Sequence, residues 1–128
     1  MGKQDFAQRI LVVDDNSDAA ELVAQLLSLQ GHQVVFACNG IEALAAADRL
    51  APNVVFLDIA MPDMDGYQVA SALRQSDKCS SARIVALTAW GNGRSRAKAK
   101  ASGFDSHLLK PACLSELMSE SAKPRLAQ

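Results

Sequence analysis

An α/β fold, a doubly wound sheet of five parallel strands, is what this chain predicts, and three observations carry that expectation. Five short apolar runs alternate with five helix-length segments along the whole sequence. The runs are apolar at consecutive positions, the signature of strands buried on both faces. The segments between them carry helix caps and stops, and alternation of this kind implies a parallel sheet with helices on both faces.

The first strand is Ile10–Val13, and Ser17–Gln30 follows as a helix. Its apolar face is expected to hold Ala19, Leu22, Val23, Leu26 and Leu27, and Gly31 stops it. After the second strand, Val34–Ala37, Asn39 can cap a helix that has Glu42 in its first turn and cannot continue beyond Ala51 because Pro52 follows. The third strand is Val54–Leu57, and Asp65 with Gln68 offers a capping box for a helix running to about Gln75. Ile84–Leu87 is the fourth strand. The helix expected near Gly93–Ala101 has four basic residues and few large apolar ones, and its pattern is the weakest. Leu108–Leu109 is the fifth strand, and a last helix after Pro111 presents Leu114, Leu117 and Met118 inward. Residues 1–8 read as a disordered leader, 9–122 as one domain and 123–128 as a polar tail.

Composition narrows the function classes. With 128 residues, 49% of them hydrophobic and 5% aromatic, the chain can build one core of Leu, Val, Ile and Ala. Thirteen basic and fourteen acidic side chains leave a formal charge of −1, which gives no support to direct nucleic-acid binding or a membrane surface. No apolar run approaches the ~18–20 residues of a membrane span, so no membrane insertion is expected. Cys38, Cys79 and Cys113 are scattered and odd in number, which fits reduced thiols in a cytoplasmic protein rather than zinc or a disulfide framework.

In doubly wound sheets the ligand site lies beyond the carboxyl ends of the strands, where strand order reverses. Here the first strand ends at Asp14-Asp15, the third at Asp58, the fourth at Thr88 and the fifth at Lys110. In the order 2-1-3-4-5 the first and third strands are neighbours, so Asp14, Asp15 and Asp58 converge. Three carboxylates in one cleft need a cation, and hard oxygen donors without histidine or cysteine favour Mg²⁺. A metal ion, an ammonium and a hydroxyl around a carboxylate are what a transferring phosphoryl group requires. Aspartate can be its nucleophile, and Asp58, at the end of VVFL, is the candidate. A DD pair alone is usually a solvated turn or cap; five charged or hydroxyl groups at four strand ends are far less ordinary.

These residues resemble the receiver domains of two-component response regulators. The matching segments are ILVVDDN (10–16), VVFLDIAMPDMDG (54–66), IVALTA (84–89) and SHLLKP (106–111). The resemblance runs from about Arg9 to Met118 and is closest in style to receivers of hybrid histidine kinases. It implies a flavodoxin-like, chemotaxis-regulator-like fold that takes a phosphoryl group from a histidine kinase or a histidine phosphotransfer protein; it names no downstream partner. It makes Asp58 the phospho-acceptor and Asp14, Asp15, Asp58 and the backbone carbonyl of Ala60 the Mg²⁺ ligands. Thr88 becomes the switch hydroxyl, Lys110 the phosphoryl-stabilising lysine, and Lys110–Pro111 a cis peptide. The switch aromatic is replaced by His107.

A small Mg²⁺-dependent phosphohydrolase would place an acidic residue two positions after its nucleophile, where this chain has Ala60. Ala60 has no polar side chain and Trp90 offers only one N–H donor to orient a hydrolytic water, so slow self-dephosphorylation is expected. Gly91–Arg96 begins like a dinucleotide fingerprint but has Arg96 where a glycine or alanine is needed. The basic residues Arg94, Arg96, Lys98 and Lys100 read as a solvated helix face.

Overall fold

The computed structural model describes residues 7–61, 64–89, 98 and 100–122. Five strands, β1 (Arg9–Val13), β2 (Gln33–Ala37), β3 (Val54–Asp58), β4 (Arg83–Thr88) and β5 (Ser106–Leu109), form one parallel sheet in the order β2-β1-β3-β4-β5. Helices α1 (Ser17–Leu29), α2 (Gly40–Leu50), α3 (Gly66–Arg74) and α4 (Leu114–Ala122) complete the described elements. The expected fold class and strand order are therefore present. The helix expected near Gly93–Ala101 lies largely outside the described residues. Lys98, Lys100, Ala101 and Ser102 are helical, and Gly103 follows with φ +108°.

Alternate residues of the central strands point to opposite faces, as the pleat requires. Leu11, Val13, Val55, Leu57, Ile84 and Ala86 build one core with residues of α2 and α3, including Ala43, Ala47, Val69 and Leu73. Ile10, Val12, Val54, Phe56, Val85 and Leu87 build the other with Ala20, Leu27 and Leu117 of α1 and α4. β1 and β3 pair from Ile10↔Val54 to Val13↔Leu57, so the chain leaves both strands at the same level.

The helix ends obey their local chemistry. Asn16 and Asn39 accept hydrogen bonds from Ala19 N and Glu42 N, and Asp65 and Gln68 make a full capping box. Ahead of Pro52, Ala51 closes α2 with φ 51°, a left-handed residue that satisfies the carbonyl of Ala47.

Two sequence expectations are corrected. The inner face of α1 is Ala20, Ala24 and Leu27 with Val23 beside them, whereas Leu22 is 57% exposed. Small residues bring the helix close to the sheet, so the stripe that packs is not the one richest in leucine. β2 is not buried on both faces either: it is an edge strand, and Gln33 and Phe36 are exposed.

Candidate functional site

The site is assembled at the carboxyl ends of β1, β3, β4 and β5. Asp14 follows β1 and receives Asn16 N on Oδ1 at 3.0 Å, while its own amide bonds Ala37 O at the end of β2. Asp58 ends β3, fully surrounded: it and Asp14 are each 3% exposed. Lys110 reaches both carboxylates, with Nζ 2.9 Å from Asp14 Oδ2 and 3.2 Å from Asp58 Oδ2. The other Asp58 oxygen, Oδ1, accepts from the amide of Ala60 at 3.1 Å.

Asp15 is exposed, yet oxygens of Asp14, Asp15 and Asp58 lie within 4.8 Å of one another. Among the described residues, three carboxylates thus face a single ammonium at this edge. Burial, and then the neighbouring Asp14, push the Asp58 carboxyl up to about 6, although Lys110 and the Ala60 amide oppose the shift. Burial works against the charge on Lys110, but the bond to Asp14 and the two carboxylate charges outweigh it and raise that group.

Thr88 is buried at the end of β4, where its carbonyl accepts the amide of Lys110 at 2.8 Å. The Lys110–Pro111 peptide is cis. His107 lies half-buried on β5 opposite Ala86, two residues back from the Thr88↔Leu109 pair. Ala60 is exposed beside Asp58; Trp90 and the Gly91–Arg96 stretch lie outside the described residues. Of the basic run, Lys98 and Lys100 are exposed, and Lys98 Nζ sits 4.4 Å above the ring of Tyr67. Cys38 follows β2, and its thiol is pushed up by burial, then by Glu42 and Asp14.

Sequence reasoning missed one contributor. Gly66, which opens α3, presses directly on the backbone of Asp58 and Ile59. Gly66 closes the matched segment VVFLDIAMPDMDG, but a glycine after a capping aspartate is an ordinary helix start, so the motif gave it no role.

A doubly wound sheet with an acidic pair, a buried aspartate, a hydroxyl and a lysine at its switch point defines a class of phosphoryl-accepting α/β modules. Comparison with known proteins makes the class specific: residues 10–122 match the response regulator receiver domain, and the chain belongs to that family. It is 33% identical over 110 residues to the DNA-binding dual master transcriptional regulator RpaA of Synechocystis, covering 86% of this chain and 46% of that one. PilG of Pseudomonas aeruginosa is 30% identical over 118 residues, covering 92% of this chain and 87% of that one. The chain thus spans just under half the length of a matched transcriptional regulator and most of PilG.

Among solved structures, the chemotaxis protein CheY4 of Vibrio cholerae superposes with a TM-score of 0.84 at 29% identity, covering 88% of this chain and 94% of that one. The receiver domain of the sensor histidine kinase PA1611 of P. aeruginosa, solved with a magnesium ion coordinated in its active-site cleft, gives 0.80 at 28% identity, with coverages of 90% and 94%. The chain is a phospho-accepting receiver of two-component signalling. No helix among the described residues is long and apolar enough to cross a membrane.

Proposed function

We propose that Asp58 is the phosphoryl acceptor and that its donor is a phosphohistidine on a histidine kinase or histidine phosphotransfer protein. The observation that carries this reading is the cluster in which Lys110 Nζ bridges Oδ2 of the buried Asp14 and Oδ2 of the buried Asp58 while the Ala60 amide holds Asp58 Oδ1. One carboxylate oxygen is tethered, and the other is turned toward the positive charge that an incoming phosphoryl group needs.

A carboxylate oxygen of Asp58 attacks phosphorus as the bond from phosphorus to the donor imidazole nitrogen breaks, and the electron pair leaves with the imidazole. Lys110 neutralises charge on the equatorial oxygens. The Thr88 hydroxyl then donates to a phosphoryl oxygen, a charge-assisted bond that draws the end of β4 toward Asp58. His107, on the neighbouring strand, is the side chain placed to follow that movement.

The donor set fits a magnesium ion: among the described residues, three clustered carboxylates, all hard oxygen, exceed the one ammonium that faces them. Asp14, Asp15, Asp58 and the Ala60 carbonyl would hold it. Bound there, the ion supplies positive charge against the carboxylates and the phosphoryl oxygens. The same ion in the PA1611 receiver supports the assignment.

The domain assists its own phosphorylation and dephosphorylation and has no separate substrate. The residue two beyond Asp58, Ala60, offers no general acid for turnover. Its setting is cytoplasmic, where kinase domains and reduced thiols are found. Incubation with Mg²⁺ and acetyl phosphate, read by intact mass and peptide mapping, tests the acceptor. A single phosphate adduct on Asp58 is expected, and none in Asp58→Asn because an amide is no nucleophile. Undiminished labelling of Asp58→Asn sinks the assignment.

A further inference from the structure

We infer that Gly66 is a positioning residue for the phosphoryl acceptor and acts through the Ile59–Ala60 peptide; the inference rests on the reading of Asp58 as acceptor. The Gly66 amide donates to Ile59 O at 2.9 Å, and the Met61 amide donates to the same carbonyl at 3.1 Å. Because a peptide unit is planar, two donors on its carbonyl also fix where its N–H points. That N–H belongs to Ala60 and meets Asp58 Oδ1 at 3.1 Å. With Oδ1 tethered, Oδ2 is the oxygen left 3.2 Å from Lys110 Nζ. On the other side, Ile59 N is anchored on Leu87 O of β4 at 3.1 Å, so the peptide has no slack.

The fit leaves no room for a side chain at Gly66. A Cβ there would lie 2.5 Å from Asp58 O, 2.7 Å from Ile59 Cα and 3.1 Å from Asp58 C, all of them backbone atoms that cannot swing aside. At Gly40 the nearest atoms a Cβ would meet belong to the Met64 side chain instead. Nor is Gly66 needed for a left-handed turn: among the described residues, the glycines with positive φ are Gly31 and Gly103. Glycine is present for proximity, and what it approaches is the residue that takes the phosphate. Adding a methyl group must push the first turn of α3 off the Asp58–Ile59 backbone and stretch the bond from Gly66 N to Ile59 O. The Ala60 N–H then loses its aim, and Asp58 is free to rotate away from the line of attack.

The test compares Gly66→Ala with Gln68→Ala in the full chain. The second change removes the reciprocal bond from Asp65 N to Gln68 Oε1 and so loosens the same helix end without touching Asp58. Both are measured where circular dichroism shows them fully folded, with saturating Mg²⁺ and acetyl phosphate. Gly66→Ala is expected to slow phosphorylation by about tenfold or more, as misplaced reacting groups do, and to move the Ala60 amide proton resonance upfield. Gln68→Ala should keep both close to wild type. A wild-type rate in Gly66→Ala, an unmoved Ala60 amide, or equal slowing by Gln68→Ala overturns the inference. If Gly66→Ala does not fold, the wild-type protein decides: scalar coupling across the hydrogen bond from Ala60 N to the Asp58 carboxylate carbon supports the tether, and its absence overturns it. Failure of the wild type to label at Asp58 would instead overturn the functional reading, while the amide measurement still judges the tether.

Discussion

At Asp58, burial and the charge of Asp14 raise the carboxyl from 3.8 to about 6, against the pull of Lys110. Between those two values the folded chain binds more protons than the unfolded chain. This group's contribution to stability therefore declines as pH rises through that window, and the full cost is present above it. The acceptor is ionised at neutral pH, as a nucleophile must be, at the expense of the metal-free fold. Asp58→Asn removes that expense, so its melting temperature in chelator at pH 7.5 should exceed wild type by a few degrees. The gain should shrink as pH falls through about 6 toward 3.8. A variant no more stable than wild type at pH 7.5 would show that the pairing with Lys110 outweighs burial. The charged residues of the site were legible because each stands at the end of an apolar run. Gly66 stood inside the matched segment 54–66, but its role was not legible, because it is a closeness to Asp58 O that the sequence does not state.

Helix α4 shows why element faces were harder to read than elements. Glu120, 6% exposed, accepts from Arg83 Nε at 3.0 Å and Nη2 at 2.7 Å and from Ser106 Oγ at 3.0 Å, tying the helix to the starts of β4 and β5. In sequence it stands in LSELMSESA, where a glutamate between two serines reads as solvent-facing; its partner Arg83 lies 37 residues away. The same blindness shifted the inner face of α1, where Ala20 and Ala24 pack and the larger Leu22 does not. Caps were legible because their donors and acceptors are a few residues apart. Removing one partner of a buried ion pair strands the other, so Glu120→Ala should cost about 3 kcal/mol, read as a lower urea midpoint at unchanged slope. A loss under about 1 kcal/mol would place this pair among surface bridges.

The whole molecule concentrates its stability and its liability in different places. Both cores lie along the sheet, alternating residue by residue through β1, β3 and β4, the two-faced burial that the strand-helix alternation implied for a parallel sheet covered on both sides. The acidic edge at the carboxyl ends adds repulsion that those cores must outweigh. A cation that binds the folded chain and not the unfolded one stabilises it by mass action, about 2.7 kcal/mol at a hundred times its dissociation constant. Magnesium should accordingly raise the melting temperature of the wild-type protein, and chelator should return it to the metal-free value. Asp15 separates ligation from packing, because it shares the cluster with Asp14 and Asp58 yet is exposed where they are buried. Asp15→Ala should therefore melt close to wild type in chelator, since little packing is lost and one repulsive charge is removed. In Mg²⁺ its melting temperature should rise far less than that of wild type at the same concentration. A variant that follows the wild-type Mg²⁺ titration would remove Asp15 from the ligand set and leave the ion to Asp14 and Asp58.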